Sequence, residues 1–582
     1  MPENGHNKQM ENKPPFHYKK QALLVLILTL IALTIVNYGA QFIYTRVDLT
    51  KEGRYSLTTP TKEFLKKLDD VVYVKVYLEG DFPAGFKHLR NATQDMLNEL
   101  KAYAGPNLQY SFIDPFALGN EAEKEEMTNS LIKKGLIPRR LIENDGEYKE
   151  KIFFPGAFIT YKGREMPVIL LEEQLNKGPQ HTINNSIALL EYKFANAIQK
   201  LSRPARQKIA FIEGHGELTT EQVEDYAAAL QPYHELHRYN LKNHLIIPHK
   251  YSVAIIAKPR EPFDDKEKFK IDQFIMNGGK VLWLLDQLNA DLDSLMNPSG
   301  TYITTDYGLN LDDQLFKYGV RLNYDLIQDL QSNKIPLTVN QDAAGNATQL
   351  KNFQWFYYPV ISNINQNHPV TKNIDLLQTK FVGTIDTIKT LGVIKTPLLA
   401  TSPYNKVMGN PVLLNLQMIR EEPAKEQFNK KNKIIAVAME GEFQSAFKGR
   451  LAYSTLKMID SLEEVSYKEI SPENKMIVIS DGDMMANERD KKNGRPLPLG
   501  YYKYTGETFA NKDFLINCME WLTDDSGIIE SRSKELTMRL LDTQKIKDGK
   551  TFWQLINIVV PLLLLLLFGF IYFWHRKKKY AY

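Results

Sequence analysis

A single cysteine, Cys518, in a chain of 582 residues leaves no internal disulfide to form. That scarcity excludes a disulfide scaffold, a multi-cysteine metal site and a lipid-modified cysteine near the start, and with no Cys-x-x-Cys it excludes dithiol redox chemistry. Charge of one sign is also lacking: 73 basic residues stand against 69 acidic ones, a net of +4. Part of that small excess sits in two short tails, so nothing points to nucleic acid. No G-x-x-x-x-G-K-[ST] occurs, so the chain does not bind and hydrolyse ATP through a phosphate-cradling loop. There is no H-E-x-x-H, no internal repeat and no low-complexity tract. The length allows three or four domains with sizeable cores that need no cross-links.

Two long apolar runs are present. Residues 552–574, FWQLINIVVPLLLLLLFGFIYFW, are followed at once by His575, Arg576, Lys577, Lys578 and Lys579. At about 1.5 Å per residue the run covers a hydrocarbon core of roughly 30 Å, which predicts a membrane-spanning helix. Pro561 opens one backbone hydrogen bond inside it, as spans tolerate. Residues 22–44, ALLVLILTLIALTIVNYGAQFIY, follow Lys8, Lys13, Lys19 and Lys20 and predict a second span rather than a cleaved signal peptide. Basic clusters mark the cytoplasmic side of both, so the charge pattern predicts cytoplasmic tails over 1–20 and 575–582. Residues 45–551 then form one extracytoplasmic loop held by the bilayer at both ends.

Within the loop, 71–78 reads as a strand, 88–104 as a helix stopped by Gly105-Pro106, and 108–114 as a parallel partner strand. This βαβ start predicts a thioredoxin-like α/β domain over 45–203. A charged helix over 121–134 and a long helix over 184–201 follow, and the basic SRPARQK stretch predicts a domain boundary. KIAFIEGHGE, LHRYNL, YSVAIIAKP and KVLWLLD then alternate with helices whose starts carry capping boxes, Thr219 with Gln222 and Asp264 with Glu267. Apolar strands alternating with amphipathic helices predict a parallel sheet covered on both faces. The pattern weakens over 290–470, read as an insertion, and returns with KMIVISDGDMMAN and the helix NKDFLINCMEWLTD. Residues 204–530 are thus read as a second α/β domain, with 531–551 as a charged connector.

The candidate site residues lie at carboxyl ends of strands, where open α/β sheets bind ligands. Glu213, His215 and Glu217 come from the EGHGE turn and Asp481 and Asp483 from SDGD, with Asp286 after another strand. Together they outline an acidic cleft for a metal or a sugar; the alternative is a tight glycine turn with solvated charges, and no metal set has diagnostic spacing. His234, His237, His244 and His249 flank a strand and read as surface residues. NFQWFYYP, residues 352–359, fits either a sugar-stacking strand or an aromatic core. Cys518 falls on an amphipathic helix as a structural thiol. No catalytic residue and no cofactor is indicated.

RVDLTKEGRYSLT, VYVKVYLEGDFPAGF, LLEYKFANAIQKL, KIAFIEGHGEL, SDGDMMAN and NKDFLINCMEWLT, in that order, resemble the GldG family of gliding-motility-associated ABC-transporter auxiliary proteins of Bacteroidetes. The IAFIEGHGE domain resembles a module shared with a ciliary intraflagellar-transport subunit and related in fold to class I glutamine amidotransferases. Those enzymes use a cysteine after a strand, and none stands there, so that activity is not carried over. The resemblance implies an inner-membrane, non-enzymatic subunit with a large periplasmic domain, partnered by a separate ABC ATPase and a multi-span permease. Two roles stay open: a scaffold that couples the permease to envelope proteins, or a substrate-binding receptor for a transported saccharide or peptide.

Overall fold

The computed structural model describes residues 16–40, 56–117, 120–144, 148–172, 178–341, 347–420, 423–450, 466–490, 492–533 and 549–580. Residues 1–15 of the N-terminal tail expected over 1–20, most of the connector and the last two residues lie outside them. Residues 1–56 and 57–582 are two separate compact units. In the first, helix α1 (Phe16–Ala40) has its apolar part at Leu23–Tyr38. That part rises about 24 Å, short of a hydrocarbon core of about 30 Å. The full second span expected over 22–44 is therefore not supported at that length, and 41–44 lie outside the described residues. Thr29 and Thr34 donate their hydroxyls to the carbonyls of Val25 and Leu30, satisfying themselves within the helix.

The second unit opens with α2 (Thr59–Lys66), β1 (Val72–Val76), α3 (Ala84–Ala104) and β2 (Leu108–Phe112). β1 and β2 pair in parallel, as the strand–helix–strand spacing predicts. Helix α4 (Glu121–Lys133) starts on an Asn120–Glu123 capping box and leads into a hairpin, β3 (Arg139–Asn144) and β4 (Tyr148–Phe153). Strands β5 (Gly156–Tyr161) and β6 (Arg164–Ile169) then complete a four-stranded sheet of order β2-β1-β5-β6, with β5 antiparallel to both neighbours. The single helix expected over 184–201 is two, α5 (Pro179–Ala188) and α6 (Leu190–Ser202), separated by Leu189.

Next come β7 (Gln207–Glu213), α7 (Glu224–Leu230), β8 (His234–Asn240), β9 (Tyr251–Ala257), α8 (Asp265–Met276) and β10 (Lys280–Leu284). The predicted Asp264–Glu267 capping box forms at the start of α8, whereas Thr219 and Gln222 exchange their two hydrogen bonds in a turn ahead of α7, whose N-cap is Val223 with no side-chain cap. Helix α9 (Asp312–Tyr318), the long hairpin β11 (Ser332–Gln341) and β12 (Ala347–Ile361), and β13 (Asn363–Ile364), β14 (Val393–Ala400), β15 (Ile434–Gln444) and β16 (Ile470–Ile479) follow. The main sheet has eight strands in the order β13-β14-β15-β16-β10-β9-β7-β8. Its β16-β10-β9-β7-β8 half is parallel, and β15, β14 and β13 add on antiparallel. The all-parallel sheet expected is thus corrected to a mixed one, and strands from the stretch read as an insertion belong to it. β14 is half-exposed and contains Pro397, so it shows no clean alternation in sequence.

Apart from its edge strand β8, the parallel half is buried on both faces. Ile209, Phe211, Val253, Ile255, Leu282, Leu284, Ile477 and Ile479 point into one core with α7 and helix α10 (Asn511–Thr523). Ala210, Ile212, Ala254, Ile256, Val281, Trp283, Met476 and Val478 point into the other, with α8 and α9. Cys518 of α10 is fully buried, and burial pushes its thiol pKa up, so it is a structural thiol. Helix α11 (Lys550–Tyr580) follows. Among the described residues it alone is long and apolar enough to cross a membrane, over Lys550–Lys578.

The SRPARQK boundary is not a loose linker. Lys200 of α6 forms an ion pair with Glu520 of α10, each side chain about nine-tenths buried, and Asn196 Nδ2 donates to Glu520 Oε2 at 3.2 Å. Arg203 donates to the carbonyl of Thr523 at 3.0 Å, and Glu191 accepts from both the N–H and the hydroxyl of Thr58. Lys200→Met leaves the Glu520 carboxylate buried without its cation and is expected to cost about 3 kcal/mol. Urea unfolding of the full chain in detergent, followed by tryptophan fluorescence, measures it; a change under about 0.5 kcal/mol contradicts the assignment.

Candidate functional site

β7 ends at Glu213, and the next residues turn on Gly214 (φ 126°) and Gly216 (φ 73°), angles that a side chain resists. The turn drops the His215 ring into the protein, fully buried and stacked on Phe263 with centroids 3.7 Å apart. Nδ1 lies 3.3 Å from Glu217 Oε1 and Nε2 3.0 Å from Glu267 Oε2. Neither contact has hydrogen-bond alignment, so the attraction is ionic. The His215 carbonyl accepts from Arg260 and Glu261 N–H groups at 2.6 and 3.0 Å. Burial pushes the imidazole pKa down, but the two carboxylates outweigh it and hold it above the ordinary value. His215 therefore fastens the turn to the N-terminus of α8 instead of facing a cleft. Glu213 faces elsewhere, 3.3 Å from Arg238 of β8.

The second cluster sits at the carboxyl ends of β9, β10 and β16. Lys258 holds a positive φ of 54° and places Nζ 2.5 Å from Asp483 Oδ2 and 3.4 Å from Asp286 Oδ2. Gly482 N–H donates to Asp286 at 2.6 Å, and Asp481 accepts from the N–H groups of Asp483 and Lys380 at 2.8 and 2.9 Å. Burial raises the Asp286 pKa to about 6, with Lys258 pulling against it, and burial beside Asp286 and Asp483 lifts Asp481 well above the carboxylate range. Burial also opposes charge on Asp483, but Lys258 and Lys380 overcome it and hold that pKa low. The Lys258 ammonium occupies the space between carboxylates that a cation would need. A Cβ on Gly482 would lie 2.7 Å from Lys258 Cγ and 2.9 Å from Asp286 Oδ2, so the cluster is closed by packing.

The expected single acidic cleft is therefore two separate clusters; no hydrogen bond or ion pair joins Glu213, His215 or Glu217 to Asp286, Asp481 or Asp483 among the described residues. The cavity beside Asp481 and Asp483 measures about 20 Å³, room for one water. Among the described residues no group of three His, Cys, Asp or Glu could hold a metal. A larger depression of about 710 Å³ lies apart from both clusters, lined by Asp312, Asp313, Phe316, Arg321, Tyr324 and Arg450 among others. Trp355 and Tyr357 of the aromatic strand are buried against each other and Phe381, which makes them core.

His234, read from sequence as a surface residue, is 2% exposed. Burial beside Lys200 and Arg203 lowers its pKa to about 4, with Glu520 pulling the other way. The groups missed from sequence were Lys258, Phe263, Glu267 and Lys380. Lys258 follows an apolar strand just as Asp286 does, so position alone could have found it.

With this geometry in hand, the chain can be placed in a class: the auxiliary proteins of ABC-type transport systems. Residues 206–518, more than half of the chain, match the model of the family described as ABC-type uncharacterized transport system (ABC_transp_aux), and the chain belongs to that family. Residues 51–160 match a domain of unknown function, DUF7088. A protein of Borreliella burgdorferi (strain ATCC 35210 / DSM 4680 / CIP 102532 / B31), described as "Uncharacterized protein", is 22% identical over 581 residues, covering 95% of this chain and 98% of its own. A solved structure, "mmIFT52 N-terminal domain", aligns at 16% identity and a TM-score of 0.30, covering 55% of this chain and 98% of that one.

Two outcomes follow for the clusters. Lys258→Met is expected to destabilise the chain by about 3 kcal/mol, and Asp483→Asn in the same background to recover part of it, with a coupling of about 1–3 kcal/mol in a urea double-mutant cycle. Additive losses contradict the pairing. The histidines give opposite pH limbs. His234 is held neutral when folded, so its stability is present above an unfolded pKa of about 6.5 and falls by roughly 3 kcal/mol toward pH 4, a slope that His234→Gln removes. His215 is held protonated, so its stability is full below about 6.5 and is lost as pH rises through its folded pKa; His215→Gln flattens that limb in unfolding measured from pH 4 to 9.

Proposed function

We propose that the chain is a membrane-anchored, non-ATPase scaffold and coupling subunit of an ABC-type transport system. The observation that carries this reading is that residues 206–518 belong to an ABC-type transport family, while the sequence has no phosphate-binding loop of its own. A separate ATPase subunit then supplies hydrolysis and a multi-span permease the pathway. Helix α11 is the anchor supported by length and composition, and in this reading the apolar run 22–44, which contains the shorter apolar part of α1, is a second one. Flanking lysines favour the cytoplasm for both termini, with the domains in the periplasm at the inner membrane. The order β2-β1-β5-β6 with β5 reversed supports a thioredoxin-like fold for residues 45–203, and residues 204–530 are read as an amidotransferase-like fold that lacks the catalytic cysteine and its activity. The finer assignment is a GldG-type subunit tied to gliding motility.

Closed packing at the strand ends favours scaffold over receptor. A receptor for a saccharide or peptide needs a pocket of roughly 300 Å³ or more, and the cavity at Asp481 and Asp483 falls far below that. In a receptor reading the 710 Å³ depression at Asp313 and Arg450 is the place for the ligand.

Gentle solubilisation of the tagged full chain from its native membrane is expected to recover an ABC ATPase and a multi-span permease in stoichiometric amounts. Recovery of the chain alone, or with envelope enzymes only, overturns the proposal.

A further inference from the structure

α11 runs unbroken through Pro561. Proline has no N–H, so the carbonyl of Asn557, four residues earlier, lacks its helical donor. The side chains of Asn557 and of Gln554, one turn before it, are exposed and have no hydrogen-bond partner among the described residues. The Asn557 carboxamide and the free carbonyl lie about 8 Å along the helix from Phe552, in the hydrocarbon, where the bilayer offers no donors, while Gln554, about 3 Å from Phe552, stands near the outer interface.

These groups share one face. At about 100° per residue, Gln554, Asn557, Pro561, Leu565, Phe568 and Tyr572 fall within an arc of about 80°. The opposite face, with Val559, Leu563, Leu566 and Phe570, is wholly apolar. One side suits lipid; the other needs a polar partner within the membrane. Self-association is disfavoured by shape, because a parallel pair would set Phe568 against Phe568 and Tyr572 against Tyr572, where self-pairing helices place small residues.

We infer that this stripe seats a transmembrane helix of the permease, one that presents a hydrogen-bond donor opposite Asn557 and small residues opposite Phe568 and Tyr572. The inference rests on the reading of the chain as an auxiliary subunit, and it names the surface through which that subunit meets its membrane partner. Satisfying the Asn557 carbonyl and carboxamide together makes the contact specific for depth as well as face.

The test places a photo-crosslinking amino acid at Leu565, on the stripe, or at Leu563, on the apolar face, in the full chain in its native membrane. Leu565 is expected to cross-link to the permease and Leu563 to lipid, and Asn557→Leu to reduce the Leu565 product roughly three- to tenfold. A Leu565 cross-link to a second copy, to the N-terminal apolar helix of the same chain, or only to lipid overturns the inference. If the ATPase and permease still co-purify in that case, the auxiliary-subunit reading stands without this interface; if they do not, both fail.

Discussion

Strands with no polar side cannot lie against water, and four of the five strands in the parallel half of the main sheet are of that kind, the polar β8 standing at its edge. Ile209 to Ile212, Val253 to Ile256, Val281 to Leu284 and Met476 to Ile479 are buried on both faces. That constraint demands a layer of helices on each side, which α7 and α10 supply on one face and α8 and α9 on the other. It also leaves polar chemistry nowhere to go except the strand ends. The histidine–carboxylate cluster and the lysine–aspartate cluster are both found there, and both are spent on holding segments together.

Much of this architecture was legible. Apolar runs 209–212, 253–257 and 281–284 announced central strands, and the Asp264 capping box formed as read, while the Thr219–Gln222 pair closed a turn ahead of α7. Half-exposed strands such as β14 were not legible, because antiparallel neighbours far apart in sequence decide their burial. Leu189 broke a helix whose periodicity ran straight through it.

The site was legible in position and misread in chemistry. Counting carboxylates at strand ends located Asp286, Asp481 and Asp483, but Lys258, the cation that pairs with Asp286 and Asp483, was passed over. His215 looked like a ligand because glycines flank it; those glycines bend the chain so that its ring faces Phe263 and two glutamates. His234 looked exposed because its strand is polar, yet it sits under the contact between α6 and α10.

That contact has a mechanical meaning. Lys200, Asn196, Gln199 and Arg203 bind Glu520, Asp524 and Thr523, so the four-stranded sheet is bolted to the helix that lines the main sheet. One buried ion pair and the hydrogen bonds around it join the two sheets, so the joint between them is a packed polar contact and not a free linker.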